Sequence, residues 1–238
     1  MNAHKPQRGS QKRIETPKLV IFDCDGVLVD SEVLSYQTYA KVFAEENFRA
    51  SPEELLRRLS GLTLADMIST IEKEEGIRFS SDIFDRIAKA IHEAFTNELK
   101  AMPGTAHLLE RLAAAGIRSC VVSNGLKSRV DQALTVTGLK KYFPERHIFD
   151  ISLVTRGKPA PDLLLYAAKS FSTSPAVCLV IDDSVTGIRA AQAAHMQTIA
   201  FLGGSHTTID NYQEKVRATE PDAIAFSMDE VVRLIFSI

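Results

Sequence analysis

Leu19-Val20-Ile21-Phe22-Asp23-Cys24-Asp25-Gly26-Val27-Leu28-Val29-Asp30 begins as a buried strand and ends in charge. Four consecutive apolar residues with no polar alternation are the pattern of a strand covered on both faces. A carboxylate, Asp23, stands where that strand should stop, and Asp25 and Gly26 follow at once. Burying apolar side chains is favourable, whereas burying an unpaired carboxylate is costly, so a cation is expected beside this pair.

Downstream the apolar period becomes helical. Val33, Leu34, Tyr36, Tyr39, Val42 and Phe43 recur at three- and four-residue steps, with Asp30 or Ser31 as N-cap. Ser51-Pro52-Glu53-Glu54 starts a second helix, 62–71 carries a third pattern and 83–95 a fourth. Beyond Pro103-Gly104 the chain alternates: helix 105–115, strand 118–123, helix 128–137, a short strand 148–154, helix 160–171 and strand 177–181. Helix 186–194, strands 198–201 and 223–226, and a closing helix 228–236 complete it. This alternation predicts an α/β fold with a doubly wound, mostly parallel sheet. The crossover from the first strand to residue 118 is too long for one helix, so a helical insertion follows that strand. The expected organisation is a core of 18–30 and 101–238, a smaller helical cap of 31–100, and a disordered tail of 1–17. The tail is polar and lacks the apolar stretch of a secretory signal.

The 238 residues carry a net charge of -2, which gives no electrostatic reason to expect nucleic acid or an anionic membrane as partner. No apolar run approaches the ~20 residues that span a bilayer. Cys24, Cys120 and Cys178 lie in apolar runs without metal-ligand spacing and read as reduced core residues, pointing to the cytoplasm. Dinucleotide and P-loop readings fail for want of G-x-G-x-x-G or G-x-x-x-x-G-K-[ST].

Ligands of open α/β sheets bind at the carboxyl ends of the strands. Asp23 and Asp25 stand at one such end, Ser123-Asn124-Gly125 at another, Asp182-Asp183 at a third, and Lys158 precedes the helix leading into that third strand. Each has a bland alternative: a turn, a helix N-cap, a solvated lysine. Together they would face one edge of one sheet, which points to metal-assisted phosphoryl transfer.

The stretches FDCDGVLVD, VVSNG, GKPAPD and VIDDSVTG, in that order, resemble the four motifs of the haloacid-dehalogenase-like (HAD) phosphohydrolases, in the branch with a helical cap after the first strand. The resemblance implies Asp23 as nucleophile forming an aspartyl-phosphate, and Asp25 as the acid and base, protonated while Asp23 stays ionised. It implies Mg²⁺ held by Asp23, the Asp25 backbone carbonyl and Asp183, with Asp182 as a further ligand, direct or through water. Ser123 and Asn124 would bind the phosphoryl group, and Lys158 would neutralise it. In the cap, Arg57, Ser60, Gly61 and Thr63 would reach over the site and set specificity. The histidines at 92, 107, 147, 195 and 206 show no ligand spacing and read as structural or surface residues. The wording is closest to sugar-phosphate phosphatases of the 6-phosphogluconate phosphatase kind. The expected partner is a small phosphorylated metabolite and the expected state a monomer. A mutase of the β-phosphoglucomutase type is the alternative; such enzymes carry His twelve positions after the nucleophile, where this chain has Ser35. A phospho-acceptor signalling module is more distant, since it would lack both the second aspartate and the cap.

Overall fold

Strand β1 (Leu19–Phe22) is buried along its whole length because it has a parallel partner on each side, β2 (Arg118–Ser123) and β4 (Cys178–Asp182). The computed structural model describes residues 12–209 and 211–237. With β3 (Ile148–Asp150), β5 (Gln197–Phe201) and β6 (Ala223–Ala225) the sheet runs β3-β2-β1-β4-β5-β6, every pairing parallel. Successive side chains of a strand point to opposite faces. Val20 and Phe22 therefore join one apolar cluster with Leu108, Leu112, Val130 and Val231, from α5 (Thr105–Ala114), α6 (Lys127–Val136) and α10 (Met228–Phe236). Leu19 and Ile21 join another with Leu163, Ala167, Ala190 and Ala191, from α7 (Asp162–Ser170) and α8 (Val185–Ala193). The three cysteines are buried and free, as their apolar neighbours suggested.

Four helices separate β1 from α5: α1 (Glu32–Glu45), α2 (Pro52–Leu59), α3 (Leu64–Glu75) and α4 (Ile83–Glu98). Helix α2 is started by the Ser51 hydroxyl, which accepts from Glu54 N at 3.1 Å, and α3 by Thr63, which accepts from Asp66 N at 3.1 Å. Helix α1 packs on α2 and α4, with Phe43 fully buried against Phe79 at 4.9 Å between ring centroids. The chain leaves for these helices and returns at adjacent points: Asp30 N donates to Lys100 O and Met102 N to Leu28 O. Among the described residues no helix is long and apolar enough to cross a membrane.

Four expectations need correction. The strand read over 148–154 stops at Asp150, whose side chain accepts from Ser152 N at 3.0 Å and turns the chain into a 3-10 turn. A short helix α9 (Tyr212–Arg217) lies between β5 and β6, where none was read. Ser31 holds the N-cap position of α1, yet its hydroxyl donates elsewhere; Asp30 instead accepts from Ser205 N and Oγ. The tail read as disordered over 1–17 is anchored where it is described. Ile14 is 3% exposed in the main core, and Glu15 exchanges backbone bonds with the Gln197 amide. Residues 1–11 lie outside the described residues.

Because Ile14 fills core volume, Ile14→Ala is expected to destabilise the protein by about 2–5 kcal/mol in urea unfolding, the range for a buried aliphatic truncation. An unchanged midpoint would return this segment to the tail.

Candidate active site

The strand order reverses between β1 and β4, and the crevice of an open α/β sheet lies at such a reversal. The chain places its carboxylates there: Asp23 directly after β1, its N–H donating to Ile181 O at 3.0 Å, and Asp182-Asp183 at the end of β4. Residues 182 and 183 are neighbours, so their side chains diverge. Asp183 lines a cavity of about 290 Å³ together with Asp23, Asp25, Ser123, Asn124 and Lys158.

Lys158 is buried, and its ammonium donates to Asp23 Oδ1 at 2.7 Å, Asp182 Oδ2 at 2.8 Å and Val122 O at 2.9 Å. An ammonium has three donors, and all three are satisfied. Burial alone would lower its pKa, but Asp182 and Asp23 override that and hold the charge. Its backbone is fixed from both sides by Asn124, which accepts from Lys158 N at 2.9 Å and donates to Lys158 O at 2.9 Å. Gly157 permits that approach, since a methyl there would stand 2.6 Å from Asn124 Oδ1.

Burial pushes the Asp23 carboxyl well above the usual range; Lys158 opposes this, and the Asp182 and Asp183 charges add to it. Burial raises Asp183 likewise, against the His206 contact. The 2.7 Å contact with the Lys158 ammonium favours the ionised carboxylate, and a further positive charge beside it would favour that form more. Asp25 Oδ1 accepts from Ser31 Oγ at 2.5 Å and from Arg129 Nη2 at 3.3 Å. Arg129 reaches over from α6, lies 5.0 Å above the Phe95 ring of α4 and donates to Ser35 Oγ of α1 at 3.3 Å. Ser123 is buried, and its oxygen accepts from Gly125 N at 2.9 Å, leaving its hydroxyl hydrogen for the cavity.

The residues present fit a hard divalent cation. Gly26 (φ 75°) has no room for a side chain, since a methyl there would stand 2.1 Å from Asp183 Oδ2. The Asp23–Asp25 loop therefore closes directly onto Asp183. Two carboxylates and backbone oxygens, with space for water and phosphate, suit Mg²⁺ rather than a Cys- or His-selective metal. Among the described residues no group of three His, Cys, Asp or Glu side chains is placed to hold a metal ion by itself.

The structure brings Asp23, Asp25, Ser123, Asn124, Lys158, Asp183, Ser60 and Gly61 to one cavity. It does not bring Arg57, which is exposed on α2, or Thr63, whose hydroxyl caps α3 and also donates to Asp66 at 2.7 Å. Asp182 is turned away from the cavity: Oδ2 faces Lys158, and Oδ1 accepts from Ser184 N and Oγ at 3.0 and 2.7 Å. Gly187 makes this possible, as a methyl there would meet the Asp182 carboxylate at 1.9 Å. Asn124 acts on Lys158 through its side chain. Sequence reasoning missed Glu32, Tyr212 and Lys215, which also line the cavity, and Arg129 and His206 beside it. Glu32 sits one position inside α1, two residues beyond the quoted stretch; the others carry no spacing signal and are brought in by packing.

Burial, with Asp25 nearby, pushes Glu32 from 4.5 to about 7. Between those values the folded chain holds a proton that the unfolded chain has lost, so metal-free stability should fall as pH rises from 4.5 to about 7. In EDTA, Glu32→Gln is expected to make the melting-temperature curve shallower over that window. An unchanged slope would show that Glu32 does not carry it.

The sequence profile of the haloacid dehalogenase-like hydrolases matches residues 20–201. The 6-phosphogluconate phosphatase of Escherichia coli (strain K12) is 32% identical over 188 residues, covering 79% of this chain and 83% of that protein. A phosphorylated carbohydrates phosphatase of Thermotoga maritima is 29% identical over 184 residues, 76% of this chain and 82% of its own length. Among solved structures, a HAD family hydrolase of Deinococcus radiodurans with bound phosphate and sodium superposes with a TM-score of 0.79 at 31% identity, covering 94% of this chain and 97% of its own. A haloacid dehalogenase-like protein of Agrobacterium tumefaciens reaches 0.82 at 34% identity, covering 92% and 98%. On the family profile and these two levels of similarity, the chain belongs to the haloacid dehalogenase-like hydrolases.

Proposed function

We propose that this protein is a Mg²⁺-dependent phosphatase that hydrolyses a small phosphorylated metabolite, a sugar or sugar-acid phosphate, through an aspartyl-phosphate on Asp23. The observation that carries this reading is the buried Lys158 ammonium pinned between Asp23 and Asp182, at a cavity shared with Asp25, Ser123 and Asp183. Lys158 aims one Asp23 oxygen and contributes positive charge where a phosphoryl group would lie.

An Asp23 oxygen forms the new bond to phosphorus while the ester bond to the leaving oxygen breaks, and the Asp25 carboxyl gives its proton to that oxygen. Asp25 then takes a proton from water as the water oxygen attacks phosphorus, the bond to Asp23 breaks, and inorganic phosphate departs. Ser123 donates to a phosphoryl oxygen throughout. Asp23, Asp183 and the Asp25 backbone oxygen would hold Mg²⁺, which supplies charge stabilisation to the phosphoryl group when bound.

Residues 31–100 act as a cap in this reading. Ser60 and Gly61, between α2 and α3, line the cavity and present polar backbone to the leaving group. Gly61 is there for its conformation (φ 86°), since a methyl on it would meet nothing within 4 Å. The substrate class is supported by the E. coli and T. maritima relatives, named for 6-phosphogluconate and phosphorylated carbohydrates, and the chemistry by the phosphate bound in the D. radiodurans structure. The mutase reading gains nothing from Ser35, which is buried and donates to Ser31 O at 2.8 Å. Three free buried cysteines accord with a cytoplasmic enzyme.

Phosphate release should be measured across sugar and sugar-acid phosphates, 6-phosphogluconate included, with Mg²⁺ and with EDTA. Activity is expected to vanish in EDTA and return with Mg²⁺; survival in EDTA would reject the metal. Asp23→Asn is expected to lower kcat by about 10⁴–10⁶, the scale for a lost nucleophile. Undiminished turnover in that variant would reject the nucleophile, and isomerised product without free phosphate would establish the mutase.

A further inference from the structure

His206 is the buried ionisable group that the mechanism above does not use. It is 1% exposed, and its Nε2 lies 2.7 Å from Asp183 Oδ2. Both ring nitrogens are buried and neither makes a hydrogen bond of regular geometry among the described residues; at 2.7 Å the Asp183 carboxylate is the acceptor that Nε2 faces, so a neutral ring keeps its proton on that side.

The ring has little freedom to leave. A methyl at Gly26 would stand 2.9 Å from its Cε1 and one at Gly204 2.7 Å, so two side-chain-free positions close on it from either side. The Tyr212 ring meets it edge-on, 4.8 Å between centroids at 87°. The turn that carries it is tied internally by the buried Thr207 hydroxyl, which donates to Leu202 O and Gly204 O. It is also tied to the start of α1, where Asp30 accepts from Ser205 N at 3.1 Å and Oγ at 2.8 Å.

Carboxylates that hold a cation need their other lone pairs oriented, and such outer partners strengthen metal binding by fixing the ligand. We propose that His206 is a positioning residue for Asp183: its imidazole holds the carboxylate in the orientation in which it receives Mg²⁺. The proposal rests on the metal reading given above. It adds that the cation site is built partly by the turn after β5, outside the four motifs. Because Asp30 secures that turn, the site's outer wall and the point where the chain departs for the inserted helices form one structure.

The test is isothermal titration of MgCl₂ into the metal-free full chain. Wild type should bind, and Asp183→Asn should not; failure of either result would overturn the metal reading itself. With both in place, His206→Met, which fills the space without a donor, is expected to bind Mg²⁺ about 10–100-fold more weakly. His206→Gln, whose amide nitrogen can replace Nε2, should recover most of that loss. Wild-type affinity in His206→Met would overturn the role of His206 while leaving the metal reading intact. Should the Met variant not fold, the imidazole ¹⁵N resonances of wild type provide the same decision. The His206 signal is expected to move on Mg²⁺ saturation with the affinity seen by titration, and a signal that stays still would overturn the proposal.

Discussion

One ammonium joins the three central strands at their carboxyl ends. Lys158 contacts the residue after β1, a carbonyl of β2 and the last residue of β4. A buried charge is tolerable only when its partners and hydrogen bonds are complete, and removing one partner of such a pair costs about 3–5 kcal/mol. The surrounding residues follow from this constraint. Asn124 brackets the lysine's backbone, Gly157 admits Asn124, and Gly187 leaves the space into which the Asp182 carboxylate tucks beneath α8. Helix α8 in turn begins at Ser184, whose hydroxyl donates to Asp182 and accepts from Gly187 N at 3.0 Å. The geometry of the cavity and the integrity of the sheet edge rest on the same contacts.

The charge balance of the cavity has a direct functional meaning. Asp23, Asp25, Glu32 and Asp183 line it, whereas Lys158 is saturated by Asp23, Asp182 and a carbonyl. Burial first, and the neighbouring carboxylates after it, raise Asp23 and Asp183, so positive charge brought to this edge would favour their ionised forms. Arg129 meets a different need. It ties Asp25 to helices α1 and α4 through Ser35 and the Phe95 ring, so the second aspartate is held by the core and by the inserted helices together.

Much of this was legible in the chain and some was not, for identifiable reasons. Asp23, Ser123 and Asp183 could be found because parallel strands end on one edge, so a polar residue after an apolar run is placed there by topology. Arg58, the neighbour of Arg57 on α2, is taken by Glu54, Glu74 and Glu75 on the helix surface. Nothing in local spacing distinguishes it from Arg129, which also lies on a helix yet reaches the site. The adjacent pair Asp182-Asp183 shows the same limit at finer scale: both residues were placed at the ion, and the alternation of a strand end sends one to the lysine and the other to the cavity.

The sequence by itself determined the parallel α/β plan, the helices between the first strand and the second, and the sheet edge at which the carboxylates gather. Strand period, helix period and turn residues are local properties, and the crossover topology follows from their order. Tertiary structure alone decided that Arg129, Glu32, His206 and Tyr212 surround that edge, that Asp182 serves the lysine, and that residues 12–17 are held against the fold. Those placements depend on which helix face meets which neighbour and on where a missing side chain, as at Gly26, lets two segments touch. These are properties of packed pairs of segments, which neither segment carries alone.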